Sequence, residues 1–209
     1  MMRFAWPRPL DEETIFGMRK FAVSLLEYAC NGDSGRAETD LVYLLDVTEG
    51  RDQGAMRRKY SSCGDLAHWM LMRIGVRSRW VNRDEHRGWR VGMNVALLTG
   101  GNSRPVLATQ RFEPGDIVVV WNHPKAYDAH VICVIDHDGE KLLTAEYGQP
   151  GGALKARTFA NGLIGNRKAQ RWVSLEKVIR NADDEGLLVD SQDPTRAPDG
   201  SQIWSPPNA

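Results

Sequence analysis

Cysteine is scarce in this chain of 209 residues, where Cys30, Cys63 and Cys133 are the full set. An odd count rules out a closed disulfide framework, and no Cys or His pair has zinc-site spacing. Net charge is lacking as well. Lys and Arg number 27 and Asp and Glu 27, so no whole-protein field draws in nucleic acid or an anionic membrane. No apolar run approaches the roughly 18 residues of a transmembrane helix, and no membrane insertion is expected. The opening MMRFAWPRPLDEET turns acidic before any apolar stretch forms, unlike a secretory leader. The chain is expected to remain in the cytoplasm or to leave it by a non-classical route. Internal repeats are absent. The glycine-rich YGQPGG after Glu146 lacks the Gly-Lys-Ser/Thr of a phosphate loop. No cofactor and no metal are expected.

What is present describes a folded domain. Hydrophobic residues make up 42% and charged residues 26%, a globular balance at a length of one domain to a domain and a half. Residues 1–182 are assigned to the domain. Residues 183–209, acidic and rich in Pro, are assigned to a C-terminal tail. Arg51–Arg90 holds ten basic side chains against four acidic ones, either a solvated face or a positive rim for a carboxylate-bearing substrate.

Apolar residues at steps of three and four predict a helix over 11–30, through Ile15, Met18, Phe21, Ala22, Leu25, Leu26 and Ala29. A short helix around Leu41–Leu45 and a loop over Thr48–Arg58 follow. A second helix is predicted over 63–74, with Ser61 and Ser62 where an N-cap belongs and Gly75 at the C-cap. Within Val76–Arg111 only Met93–Leu98 reads as regular. Beyond Pro114 the period changes to two. Ile117–Trp121 and His130–Asp136 read as strands. His137–Glu140 reads as a turn, and Lys141–Tyr147 as the returning strand. Leu154–Thr158 and Gln170–Val173 are further short strands, and Ser174 caps a helix over Leu175–Arg180. Helices first and an antiparallel sheet after them predict an α+β domain.

Cys63 heads the second predicted helix, where backbone N–H groups and the helix dipole favour a thiolate. A nucleophilic cysteine needs a base, and the base an orienter. His130 stands at a strand mouth after a polar stretch. Alternation puts His130, Ile132, Val134 and Asp136 on one side, and Leu142, Thr144 and Glu146 on one side of the partner strand. Glu146 then falls opposite His130, while Asp136 lies too near the turn. A slip of a residue or two hands the orienting role to Gln149, so both are kept. His68, His86, His123 and His137 have no evident partner. Cys30 and Cys133 read as buried thiols. Most tryptophans read as core, and Gly148, Gly151 and Gly152 as a lip over a cleft.

The segment Tyr60–Trp69 (YSSCGDLAHW) resembles the nucleophile helix of papain-like cell-wall peptidases of the NlpC and CHAP types. Phe112–Val118 (FEPGDIV) is similar to the Pro-Gly-Asp that opens a strand in those families. Ala129–Val131 resembles their histidine strand, and Thr144–Tyr147 the CHAP strand whose glutamate orients that histidine. The resemblance covers roughly residues 58–175. The long Arg-rich Val76–Arg111 departs from it, and the cysteine motif is neither Asp-Cys-Ser nor Cys-Thr. The resemblance implies a papain-like fold and a Cys63–His130–Glu146 triad that hydrolyses an amide through a thioester. It implies an oxyanion site made of the Cys63 N–H and a further donor. Tyr60 is that donor or an aromatic packing the helix start. The implied substrate is a peptide, with peptidoglycan stem peptides as the class. An inhibitor or immunity protein is left open as a partner. Two alternatives stand: a non-catalytic binding module on the same fold, and a cysteine hydrolase of another amide.

Overall fold

The computed structural model describes residues 3–31, 63–76, 103–121, 129–147, 152–188 and 191–192. The short helix at Leu41–Leu45, the Thr48–Arg58 loop, the Met93–Leu98 stretch and the capping serines Ser61 and Ser62 lie outside them.

Helix α1 spans Glu12–Asn31. Asp11 starts it, its carboxylate accepting from the Thr14 N–H at 2.7 Å, which satisfies one of the unpaired donors of the first turn. Helix α2 spans Cys63–Arg73. It ends as its sequence indicates, with Gly75 at φ 91, a left-handed conformation that costs glycine little. Strand β1 (Arg3–Phe4) precedes α1, and strands β2 (Ser103–Pro105), β3 (Ile117–Trp121), β4 (Ala129–Asp138), β5 (Lys141–Glu146), β6 (Ala153–Ala160), β7 (Leu163–Ile164) and β8 (Arg167–Val173) follow α2. Helix α3 (Leu175–Asp184) and strand β9 (Ser191–Gln192) end the described chain. The class is α+β.

Seven strands form one antiparallel sheet in the order β2-β8-β3-β4-β5-β6-β7, and β7 also pairs with β8. That pairing closes the sheet on itself into a small barrel, a closure beyond the antiparallel sheet expected from the sequence. Closure removes edges that would otherwise expose unpaired backbone groups. It also gives the strands two apolar faces. Phe112, Val118, Val120, Ile132, Val134, Leu142, Phe159, Ile164 and Ala169 fill the inside. Ile117, Val119, Val131, Cys133, Ala145 and Val173 face outward, under the apolar stripes of α1, α2 and α3. Trp6 and Trp69 are buried in this outer core.

The Pro-Gly-Asp segment has a structural role. Asp116 is fully buried and accepts from the N–H groups of Glu113 at 3.0 Å and Leu175 at 3.1 Å. It ties the start of β3 to the start of α3, where Ser174 caps as expected. Gly115 sits at φ 89 with Leu175 packed against it.

Several features differ from expectation. β4 runs on to Asp138, so the turn is only Gly139 and Glu140, and Gly139 takes φ 59 at the first central position as a type II′ turn requires. β4 also carries a bulge at Ile135, since Val134 pairs with Thr144 but Asp136 with Leu143. The bulge turns Asp136 outward and His137 inward, where His137 Nδ1 accepts from the Phe112 N–H at 3.0 Å and its ring packs on Phe112 and Phe159. His137 is therefore a packed strand residue and not part of a polar turn. Finally, the chain does not leave the domain at Asp183. Arg8 forms an ion pair with Asp183, Leu188 is buried against the outer core, and β9 pairs with β1. Residues 193–209 lie outside the described part.

Gly152 is pressed against the end of α1 and does not form a lip; Gly148 and Gly151 lie outside the described residues. A Cβ at Gly152 would stand 2.9 Å from the Ala29 carbonyl oxygen and 3.3 Å from Cys30 Sγ. The Ala29 carbonyl oxygen is backbone and cannot yield without moving the helix. Gly152→Ala should cost about 1–3 kcal/mol, read as a lower urea midpoint at unchanged slope. An unchanged midpoint would mean that α1 does not rest on this hairpin.

Candidate active site

Cys63 is the first residue of α2 and is half-buried, its side chain resting on the outer core. His130 is the second residue of β4 and Glu146 the last of β5. His130 Nε2 and Glu146 Oε2 lie 3.1 Å apart. The same imidazole shares a side-chain hydrogen bond with Cys63. With Nε2 taken by Glu146, Nδ1 is the nitrogen left for the thiol. The three expected residues therefore meet in the order thiol, imidazole, carboxylate.

The register that joins them differs from the expected one. Glu146 pairs with Ile132, and His130 lies two residues further along β4, diagonal to Glu146 on the same face. Diagonal neighbours of this kind stay within reach of long side chains. Because His130 stands at the strand end, its ring is reached from the barrel side by Glu146 and from the helix side by Cys63.

Glu146 is the most constrained of the three, 2% exposed yet charged. Thr144 Oγ1 donates to Oε1 at 2.9 Å. Arg157 donates through Nε to Oε1 at 2.8 Å and through Nη2 to Oε2 at 2.9 Å. Lys155 Nζ donates to Oε2 at 3.2 Å. Burial works against the carboxylate. The hydrogen bonds from His130, Arg157 and Thr144 and the charge of Arg157 outweigh it and hold Glu146 well below the usual carboxylate range.

Lys155 and Arg157 were not among the expected site residues, although the signal was present. Both lie on the strand predicted over Leu154–Thr158, two residues apart and so on one face. β6 runs antiparallel to β5, with Thr144 paired to Lys155 and Leu142 to Arg157. That face is the one Glu146 occupies. Tyr60 and Gln149 lie outside the described residues, as do His86 and His123.

The remaining thiols are buried. Cys30 Sγ faces the Glu146 carbonyl oxygen at 3.9 Å, and burial raises its pKa to about 11. Cys133 faces the helices from the outer side of β4, and complete burial raises it further still. Among the described residues no group of His, Cys, Asp and Glu is arranged to hold a metal ion, and no helix is long and apolar enough to cross a membrane.

Burial disfavours the imidazolium of His130. The hydrogen bonds to Cys63 and Glu146, and the negative charge of each, outweigh that penalty and raise its pKa from 6.5 to about 9. A group raised on folding adds stability that is complete below its unfolded value and is lost as pH climbs through its folded value. The stability advantage of wild type over His130→Gln should therefore be largest below pH 6.5, on the order of 3 kcal/mol, and shrink towards pH 9. Urea titrations of both proteins across that window would check it, and a flat or growing difference would contradict the charged pair.

Comparison of the chain with protein-family models, with curated proteins and with solved structures finds no match.

Proposed function

We propose that the domain is a papain-like cysteine amidase or peptidase in which Cys63 is the nucleophile, His130 the acid and base, and Glu146 the orienter. The observation that carries this reading is His130, hydrogen-bonded on one side to a thiol at a helix start and on the other to a buried carboxylate. A core histidine needs neither. The two neighbouring thiols, with raised pKa values, lack this arrangement.

In the proposed reaction the imidazolium of His130 holds Cys63 as thiolate. The sulfur attacks the amide carbonyl carbon and the carbonyl oxygen takes the negative charge. In this proposal the Cys63 N–H at the start of α2 and a further donor hold that oxygen. As the tetrahedral intermediate collapses, the C–N bond breaks and the nitrogen leaves with the His130 proton. The neutral imidazole then takes a proton from water. The oxygen of that water attacks the thioester, the C–S bond breaks, and the thiolate–imidazolium pair is restored with a carboxylic acid released. Glu146 fixes the ring and stabilises its charged form in both halves.

Peptidoglycan stem peptides are the proposed substrate class, supported by the resemblance of residues 60–69, 112–118, 129–131 and 144–147 to the NlpC and CHAP types. Wild type should convert purified muropeptides to products with one added water, resolved by mass spectrometry. Cys63→Ala should abolish conversion while circular dichroism stays unchanged; equal conversion by that variant would end the reading. Damage to turnover should fall in the order Cys63, His130, Glu146, with Glu146→Gln milder than Glu146→Ala because it keeps an acceptor for the ring. Iodoacetamide should label Cys63 well before Cys30 and Cys133. Intact muropeptides alongside a selectively labelled Cys63 would move the proposal to another amide, and equal labelling of all three thiols would favour a non-catalytic module.

A further inference from the structure

Glu146 carries more positive charge than it needs. The Arg157 fork meets both carboxylate oxygens, at 2.8 and 2.9 Å, and by itself neutralises the group in the geometry that suits it best. Lys155 adds a second cation at 3.2 Å. It does so on Oε2, the same oxygen that His130 Nε2 approaches at 3.1 Å. Thr144 takes the other oxygen. The Lys155 side chain is 46% exposed, so burial does not demand this contact. It is set there by β6 pairing, which places Lys155 opposite Thr144 and on the face of Glu146.

We propose that Lys155 is a positioning residue for His130, competing with the imidazole for Oε2 of Glu146 and so limiting how firmly the ring holds its proton. The consequence for turnover rests on the proposed reaction, in which the ring must give a proton to the leaving nitrogen and later take one from water. An imidazole bound to a carboxylate that Arg157 alone holds would give its proton up more reluctantly. A surplus cation two hydrogen bonds away corrects that without displacing the carboxylate, because Arg157 keeps holding it. The titratable groups that act on His130 directly are Cys63 of α2 and Glu146 of β5, and Lys155 and Arg157 of β6 act on it through Glu146. The β3 partner of His130, Val120, carries none.

The test follows the His130 ring by NMR in labelled protein as pH is raised. Lys155→Met should move its midpoint upward by about half a pH unit, the size left after solvent screening of a half-exposed charge. Lys155→Arg keeps the charge and should return the midpoint close to wild type. Lys141→Met, at the turn end of β5 and far from the ring, should leave it unmoved. A midpoint unchanged or lowered in Lys155→Met overturns the proposal, and so does an equal rise in Lys141→Met. The midpoint is read without substrate, so it separates the two readings. A shifted midpoint with no turnover on any amide removes the proposed function and leaves the role of Lys155. Turnover with an unmoved midpoint does the reverse.

Discussion

The rest of the site depends on a buried negative charge. A carboxylate as enclosed as that of Glu146 would cost several kcal/mol if left unpaired. Four side chains from three strands supply its partners, with His130 from β4, Thr144 from β5, and Lys155 and Arg157 from β6. That need ties together strands whose apolar packing alone leaves freedom. Half of the β6 residues are exposed and only Phe159 is buried, so few hydrophobic contacts fix its register on β5. The ionic cluster holds it at one end and the Gly152 contact with α1 just before it. The network that satisfies the carboxylate is thus also the one that aligns the histidine.

Whether His130 and Glu146 meet at all is decided by one extra residue. With the turn at Gly139 and Glu140, an unbroken ladder would pair Glu146 with Cys133, on the opposite face of β4 from His130. The bulge at Ile135 shifts the ladder by one, so that Glu146 pairs with Ile132 and shares its face with His130. The expected four-residue turn with no bulge would instead pair His130 with Tyr147 and set Glu146 on the other face, so the right pair was reached only through the allowance of a residue or two in register. Alternation is legible in a sequence because burial enforces it. A bulge is not, because nothing in VICVIDHD marks which residue will be left unpaired.

The helices, the β3–β5 strands and the Gly75 and Ser174 caps were legible for the same reason, since each has a periodic apolar stripe or a terminal residue with a stereochemical cause. Barrel closure was not, because β7 is two residues long and carries no pattern. Asp116 was noticed only as part of a family-like motif, and its work is mechanical. Burial raises its pKa to about 6 while two backbone N–H groups favour its charged form, the profile of a joint between β3 and α3. Lys155 and Arg157 escaped notice because charged residues in a strand are ordinarily its solvated face. Only a buried acid on the neighbouring strand reverses that expectation.

The arrangement also separates one thiol from two others in the same small core. Cys30 and Cys133 sit where a thiolate would be buried without a proton acceptor, and their pKa values rise accordingly. Cys63 sits at a helix start beside an imidazole. In the proposed chemistry the thiolate and the imidazolium lose their charges together when the thioester forms and regain them together when it is hydrolysed. The site therefore keeps the same net charge through the cycle. The carboxylate behind the ring need not be re-solvated at any step, and the fixed cations of β6 remain correctly matched to it throughout. A buried ion cluster is costly when its neighbours change charge, and here the neighbours change only as a neutral pair. This makes a permanently ionised Glu146 compatible with a histidine that must both release and accept a proton.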